Sequence, residues 1–553
     1  MELNLAAICD ALTESIPDRE AVVFRDRRLT WATFGERCRR LAGLLADARL
    51  GVHGEFAATR NHESRHDHVA LYLYNGNEYL EGMLGSYTAR CAPVNVNYRY
   101  TASELRYVLA DSRSRVVIYH AAFAPTLAEV LADLPDVEVL LQVADDSGNE
   151  LLPGALDYEA ALANGSPQRD PRWADQWSGD DLYICYTGGT TGMPKGALWR
   201  QADFLVAALG IQRRDGSDHQ SIDELVDAAR RSSLRALPAA PLMHGAAHWN
   251  AMSCWVSGGT LVLSARPERL APADIWSTVQ AERATSLLIV GDAMARPLID
   301  ELDRATHAGT PYDTASLRQV LTGGAILAPT RKAALFDRLP GVRIIDLLGS
   351  SESGRQGVSN LGPGDDPTAG FAPSSTAVVL DETLRAPLAP GSDEIGWLAQ
   401  SGRVPLGYLG DADKSARTFP TIDGVRHAVA GDRARLAADG SIELLGRDSV
   451  TINTGGEKVF AEEVEIALTS HPAVFDAVVC GRPSERWGQE VVAVIALAAG
   501  RKATTEELRA HCASSLAGFK LPKEIVVVDR VERSPSGKAD YRWAVETVHN
   551  ARP

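Results

Sequence analysis

Cysteine is scarce: seven residues in 553, and no Cys-x-x-Cys pair among them, leave little basis for a disulfide framework or a structural zinc site. Cys9, Cys38, Cys91, Cys185, Cys254, Cys480 and Cys512 are scattered and odd in number, the usage expected of reduced thiols in a cytoplasmic chain. Basic residues are also short, 56 Lys and Arg against 72 Asp and Glu, for a formal charge of −16. So acidic a chain is a poor general polyanion binder. That argues against a nucleic-acid or anionic-membrane protein, while leaving room for a local phosphate pocket. The opening segment MELNLAAICDALTESIPDRE lacks a basic stretch and does not read as a signal peptide. One run, residues 236–265, contains no Asp, Glu, Lys or Arg and is long enough to span a bilayer. Pro238, Pro241, His244, His248, Asn250 and Gly258-Gly259 interrupt it, so it reads as loop, short helix and buried strand.

What the chain does have is length and alternation. At about 150 residues per domain, 553 residues make three to four domain-sized units with ample core. AVVFRD (21–26) and RLTW (28–31) read as a hairpin, and 33–50 as a helix. HVALYLYNG (68–76) and RVVIYH (115–120) read as buried strands separated by helical segments at 77–91 and 104–112. Such alternation implies parallel-rich sheets covered by helices. Residues 53–66 and 359–374 read as loops, and the charged stretch 212–235 as a solvated segment with a helical centre. The last hundred or so residues run helix, strand, strand, helix, strand, a compact α+β unit. The expected division is a large domain, 1–447, and a small one, 448–553.

The strongest chemical signal is YTGGTTGMPKG (186–196), directly after the apolar strand DLYICY. Backbone N–H groups of such a loop can turn inward around phosphate oxygens, with Thr187, Thr190 and Thr191 as further donors and Lys195 as a positive charge. It is not a Walker A sequence, since no Gly-Lys-Ser/Thr closes it.

This segment resembles the signature of the adenylate-forming superfamily: acyl-CoA synthetases, peptide-synthetase adenylation domains and luciferases. Four more ordered motifs carry the resemblance across the chain. They are PLMHG (241–245), GGAIL (323–327) with LLGSSESG (347–354), AGDRARLAADGSIELLGRDSVTINTGGEKV (430–459), and SPSGKADYRW (534–543). The resemblance implies an α/β large domain of parallel-rich sheets with a small β subdomain, and a small mobile α+β C-terminal domain. It implies ATP as substrate, bound by the loop with Gly188, Gly189 and Gly192, by Gly323, Gly324 and Ala325, and by Gly349, Ser350 and Ser351. Glu352 would hold Mg²⁺, and Asp432 would take the ribose with Arg447 near by. Lys538 would bridge the attacking carboxylate and the α-phosphate as charge builds between them. His244, His248, Trp249 and Asn250 are expected at the substrate pocket, Ser449 at the hinge, and Gly455, Gly456, Glu457 and Lys458 on the CoA side.

The chain departs from the family in places. Leu348 stands where many relatives have an aromatic residue, Ser351 replaces the usual Thr, and Ser449 replaces Asp or Lys at the pivot. Overall wording, including GDAMARPL (291–298), looks closest to actinobacterial fatty-acid and steroid side-chain acyl-CoA ligases. The first expectation is therefore activation of a carboxylic acid and transfer to CoA. The second is an ATP-dependent diazotase that activates nitrite for an aromatic amine without CoA. It is prompted by HGAAHWNAMSCW (244–255), whose His248, Trp249, Asn250 and Trp255 look polar and crowded for an alkyl or sterol pocket. The partners are small molecules rather than nucleic acid, and a homodimer is the assembly considered.

Overall fold

The alternation at the front of the chain folds as two sheets. The computed structural model describes residues 2–54, 59–187, 193–454, 457–533 and 538–551. Glu20–Phe24 and Arg27–Thr30 form the expected antiparallel hairpin, and the helix Trp31–Asp47 buries Trp31, Phe34, Cys38 and Leu41 behind it. His68–Tyr72 is buried at every position, as a parallel strand covered on both faces must be. It sits between Ala92–Asn95 and Ser114–His120 in a five-stranded sheet whose pairings are all parallel. A nine-stranded sheet carries Thr260–Leu263, Arg235–Pro238, Ser286–Leu288, Gln319–Gly323 and Arg343–Ser350 side by side in parallel, with antiparallel strands at both edges.

The uncharged run 236–265 becomes the end of the strand Arg235–Pro238, the helix Gly245–Val256 and the strand Thr260–Leu263, packed in the main core. Among the described residues no helix is long and apolar enough to cross a membrane. The stretch 212–235 does hold a helix, Ile222–Arg230, and Arg213–Glu224 and Arg403–Asp218 ion pairs tie its approach down. Ser221 caps that helix by accepting from the Glu224 N–H.

Ala377–Leu380, Gly396–Ser401, Thr421–Ile422, Val425–Leu436 and Ile442–Arg447 form an antiparallel subdomain. Its core is Leu348, Val379, Leu398, Ala434 and Ile442. The next strand, Ile452–Thr454, pairs with Glu457–Val459 and Gly488–Leu497 in a separate sheet. The expected 447/448 division thus falls at the single turn Asp448–Val450 between two sheets.

In the C-terminal sheet, Val491, Ala493 and Ile495 face one apolar cluster, and Val492, Val494 and Ala496 face another. That alternation is the pleat of a strand covered on both sides. The helices Ala461–Thr469 and Thr505–Ala513 close the first face, and Tyr541–Asn550 closes the second. The fold class read from the sequence is the fold observed: a large α/β domain with a β subdomain, and a small α+β domain.

Candidate active site

Strand register builds the centre of the site. Asp432 and Arg447 are direct cross-strand partners, and the Arg447 Nε–H donates to Asp432 Oδ1 at 3.2 Å. The Asp432 charge pushes the Arg447 guanidinium further above its ordinary value, against the opposing effect of burial. The Arg447 backbone N–H donates to Glu462 Oε1 of the small domain at 3.3 Å, while Glu462 Oε2 is buried without a hydrogen-bond partner among the described residues. Burial raises the Glu462 carboxyl to about 7.

Lys538 reaches the same place from the small domain. It keeps open surface toward the cavity, yet protein atoms crowd its ammonium, and desolvation lowers its affinity for the proton. The neighbouring Arg447 charge lowers it further, and Glu352 and Asp432 partly offset both effects. A lysine held this way gains from any added anionic partner.

Glu352 follows the strand Arg343–Ser350 in a turn closed by its own serines. Ser350 Oγ accepts from the Glu352 N–H at 3.3 Å and hydrogen-bonds Ser353 Oγ at 3.0 Å. The Trp199 indole donates to the Ser351 carbonyl at 2.8 Å, and the Tyr408 hydroxyl donates to Glu352 Oε1 at 3.0 Å. Glu352 Oε2 has no protein donor among the described residues.

A cavity of about 1320 Å³ opens between the two domains, lined by Gly324, Ala325, Gly349, Asp432, Arg447 and Lys538 among others. Gly324 has φ 78, a left-handed turn that glycine adopts without strain. A Cβ on Gly349 would lie 2.1 Å from the Gly354 carbonyl, so the backbone approaches as closely as it can. Gly323 closes the strand before this turn, and Ser350 and Ser351 shape the turn that carries Glu352. Leu348 lines the cavity and also packs into the β-subdomain core.

Lys195 opens the strand Lys195–Arg200, opposite Thr187, and its ammonium pairs with Asp411. The tip of that hairpin, with Gly188, Gly189, Thr190, Thr191 and Gly192, lies outside the described residues, as do Gly455 and Gly456. Glu457 and Lys458 lie exposed on the strand Glu457–Val459, and Lys458 pairs with Glu382 of the β subdomain at 3.8 Å. Ser449 sits within the junction turn.

The expected substrate-pocket residues lie on and just before the helix Gly245–Val256. His244 occupies the N-cap position of the helix Gly245–Val256 without a side-chain capping hydrogen bond, and none of His244, His248, Trp249 and Asn250 lines the large cavity. His248 is 3% exposed. Its Nδ1–H donates to the Leu242 carbonyl at 2.9 Å, and its Nε2 accepts from the Tyr183 hydroxyl at 2.5 Å. Burial lowers it to about 4, so it is a neutral core histidine. The Trp249 indole donates to the same Tyr183 hydroxyl at 2.5 Å and packs edge-on against Phe204. Asn250 Oδ1 is buried without a partner among the described residues.

Sequence reasoning missed Tyr408, Asp411 and Glu462, which hold Glu352, Lys195 and the Arg447 backbone. Nothing local marks the first two. Glu462 lies just beyond the GGEKV motif, close enough to have been considered.

Residues 10–408 match the AMP-binding enzyme family, and residues 463–538 match the AMP-binding enzyme C-terminal domain. The chain is 51% identical over 551 residues to the medium-chain acyl-CoA ligase Mig of Mycobacterium avium, covering 99% of this chain and 98% of that one. It is 38% identical to a 3-oxocholest-4-en-26-oate–CoA ligase of Rhodococcus rhodochrous, covering 98% and 96%. The fold superposes on the anthranilate CoA ligase AuaEII, solved with anthranoyl-AMP, with a TM-score of 0.83 at 22% identity over 99% and 98% of the two chains. The chain therefore belongs to the AMP-binding enzyme family, the adenylate-forming superfamily to which its five ordered motifs pointed.

Proposed function

We propose that the chain is an AMP-forming acid–CoA ligase. The observation that carries this reading is the meeting of Lys538 from the small domain with Asp432 and Arg447 from the large one at a single cavity, with Glu352 near enough to act on the Lys538 charge. A carboxylate is a poor electrophile. In the first half-reaction its oxygen attacks the α-phosphorus of ATP, the bond to the β-phosphate oxygen breaks, and pyrophosphate leaves. Lys538 neutralises the charge that builds between carboxylate and α-phosphate, a task of positioning rather than proton transfer. In the second half-reaction the CoA sulfur attacks the acyl carbon of the mixed anhydride, and AMP leaves as the C–O bond breaks.

Asp432, held by Arg447, presents a carboxylate suited to accept from ribose hydroxyls. Gly324, Ala325 and Gly349 supply a close backbone wall for the base, and Lys195, braced by Asp411, stands at the foot of the phosphate-binding hairpin. Glu352 fits Mg²⁺: it is a hard oxygen donor, fixed on one side by Tyr408 and, among the described residues, without a protein donor on the other. A single carboxylate suits an ion that takes its remaining ligands from phosphates and water. Mg²⁺ would supply charge neutralisation on the triphosphate. Glu457 and Lys458 stay on the CoA side of this reading, together with Gly455 and Gly456, and Ser449 remains its pivot.

The acid is proposed to be a medium-chain fatty acid, following the 51% identical relative named for that substrate. Leu270, Ile275, Met294 and Ile326 give the cavity an apolar stretch for it. The diazotase reading loses its motive, because both nitrogens of His248 are committed within the core. A cytoplasmic location fits seven buried free thiols, and a homodimer is carried forward for light scattering to check. The test is AMP release from Mg·ATP with decanoate: formation that needs both acid and CoA supports the reading, and AMP release indifferent to the acid refutes it.

A further inference from the structure

The motif GDAMARPL, beyond the Met294 that lines the proposed acyl stretch, lies at the seam between the domains. It opens the helix Gly291–His307. Asp292 accepts from the Ala328 N–H at 2.8 Å, and its own N–H donates to the Ile326 carbonyl at 3.0 Å. The turn that begins at Gly324 and lines the cavity is thereby fixed to the start of this helix. One turn further on, Arg296 crosses to the small domain. Its Nη1 donates to the carbonyls of Val474 and Phe475 at 3.1 and 2.9 Å, and its guanidinium lies 4.1 Å from the Phe475 ring centroid. Phe475 is 41% exposed, with its ring face against that guanidinium.

The next residue continues the connection. Asp476 accepts from Arg533 Nε and Nη2 at 2.8 and 2.5 Å. Arg533 in turn forms an antiparallel bridge with Ala539, adjacent to Lys538. A continuous path of contacts thus runs from the cavity turn through Asp292 and Arg296 to Val474–Asp476, Arg533 and Ala539, the neighbour of Lys538.

We propose that Arg296 is a positioning residue: it docks the small domain in the arrangement that delivers Lys538 to the cavity, and so favours the adenylate-forming half-reaction over the thioester-forming one. The inference rests on the proposed ligase reaction for its kinetic consequence, but not for its structural one. The Arg296 contacts join the two domains and are lost if the small domain turns away. A contact present in one of two arrangements shifts the population toward that arrangement by its own free energy.

Two readouts test it. In substrate-free protein, Arg296→Ala should speed hydrogen exchange in the junction segment 446–454 and in the peptide that begins at Val474. Unchanged exchange overturns the docking role, whatever the substrate proves to be. In single turnover, Arg296→Ala should slow adenylate formation by about tenfold or more, from loss of a cation–π contact and two hydrogen bonds. Thioester formation from supplied acyl-adenylate and CoA should stay close to wild type. Phe475→Ala, which keeps both acceptor carbonyls, should give the same selective slowing to a smaller degree, and Arg296→Lys should recover part of it. Equal loss in both half-reactions would overturn the proposal, since it would indicate general damage. Wild-type protein that makes no acyl-adenylate from any acid would refute the ligase reading and leave the exchange result to judge the docking.

Discussion

At the scale of single residues, the account separates groups that act from groups that hold. Lys538→Ala should cut adenylate formation by a factor of about a thousand, the loss of one charge-stabilising donor at a developing anion, with ATP still bound. Calorimetric titration with ATP beside a pyrophosphate-exchange assay checks both halves; normal exchange would remove Lys538 from the reaction. Glu352→Gln keeps the shape and the Tyr408 contact but loses the charge, so it should raise the Mg²⁺ concentration needed for half-maximal rate. An unchanged Mg²⁺ dependence would take Glu352 off the metal. His248 belongs with the groups that hold. His248→Ala would leave the Tyr183 hydroxyl proton without its acceptor and the Leu242 carbonyl without its donor, and should cost roughly 2–4 kcal/mol of stability. Acid preference measured on the folded fraction should not change.

At the scale of elements, much was legible because the pattern carried physics. Continuous apolar runs such as HVALY and VVAVIA read as strands because both faces are buried, and the paired Asp432 and Arg447 fell within one quoted motif. The helix Gly245–Val256 shows what was not legible. Its His, Trp and Asn suggested a polar pocket, but which way a helix turns its polar residues is set by tertiary packing, here by Tyr183 from a strand 65 residues earlier. Tyr408 and Asp411 escaped for the same reason: their partners Glu352 and Lys195 are distant in sequence, and no local spacing announces the contact.

Buried titratable groups divide the elements in a testable way. In the large domain, burial lowers His68, His120 and His248 to about 4 from the ordinary 6.5. Their unfolded forms bind more protons, so large-domain stability should be lost as pH falls from 6.5 toward 4. In the small domain, burial raises Glu462 to about 7 and Glu465 to about 8 from 4.5. There the folded form binds more protons, and stability should be lost as pH rises from 4.5 toward 8. Hydrogen exchange resolved by domain at pH 5 and pH 8 should show opposite trends, and Glu465→Gln should flatten the small-domain one. Parallel trends in both domains would contradict this.

At the scale of the whole molecule, two separately cored domains are linked by one short turn and face each other across the cavity. The large domain supplies Asp432, Arg447 and one wall of the cavity; the small domain brings Lys538, Glu462 and the facing wall. That division lets one chain present different small-domain residues to one cavity, which suits two successive half-reactions on a shared intermediate. The acidic composition is no obstacle to the proposed reaction, since the cations Arg447 and Lys538 meet at the cavity.

The most direct test of the central claim is AMP release from Mg·ATP in two parallel mixtures. One holds medium-chain and steroid acids with and without CoA; the other holds nitrite and an aromatic amine. The account requires AMP in the first mixture, with sustained turnover that stops when CoA is withheld, and none above background in the second. AMP in the second mixture without CoA would mean that the ATP site serves a different acceptor chemistry, and the ligase assignment would be wrong.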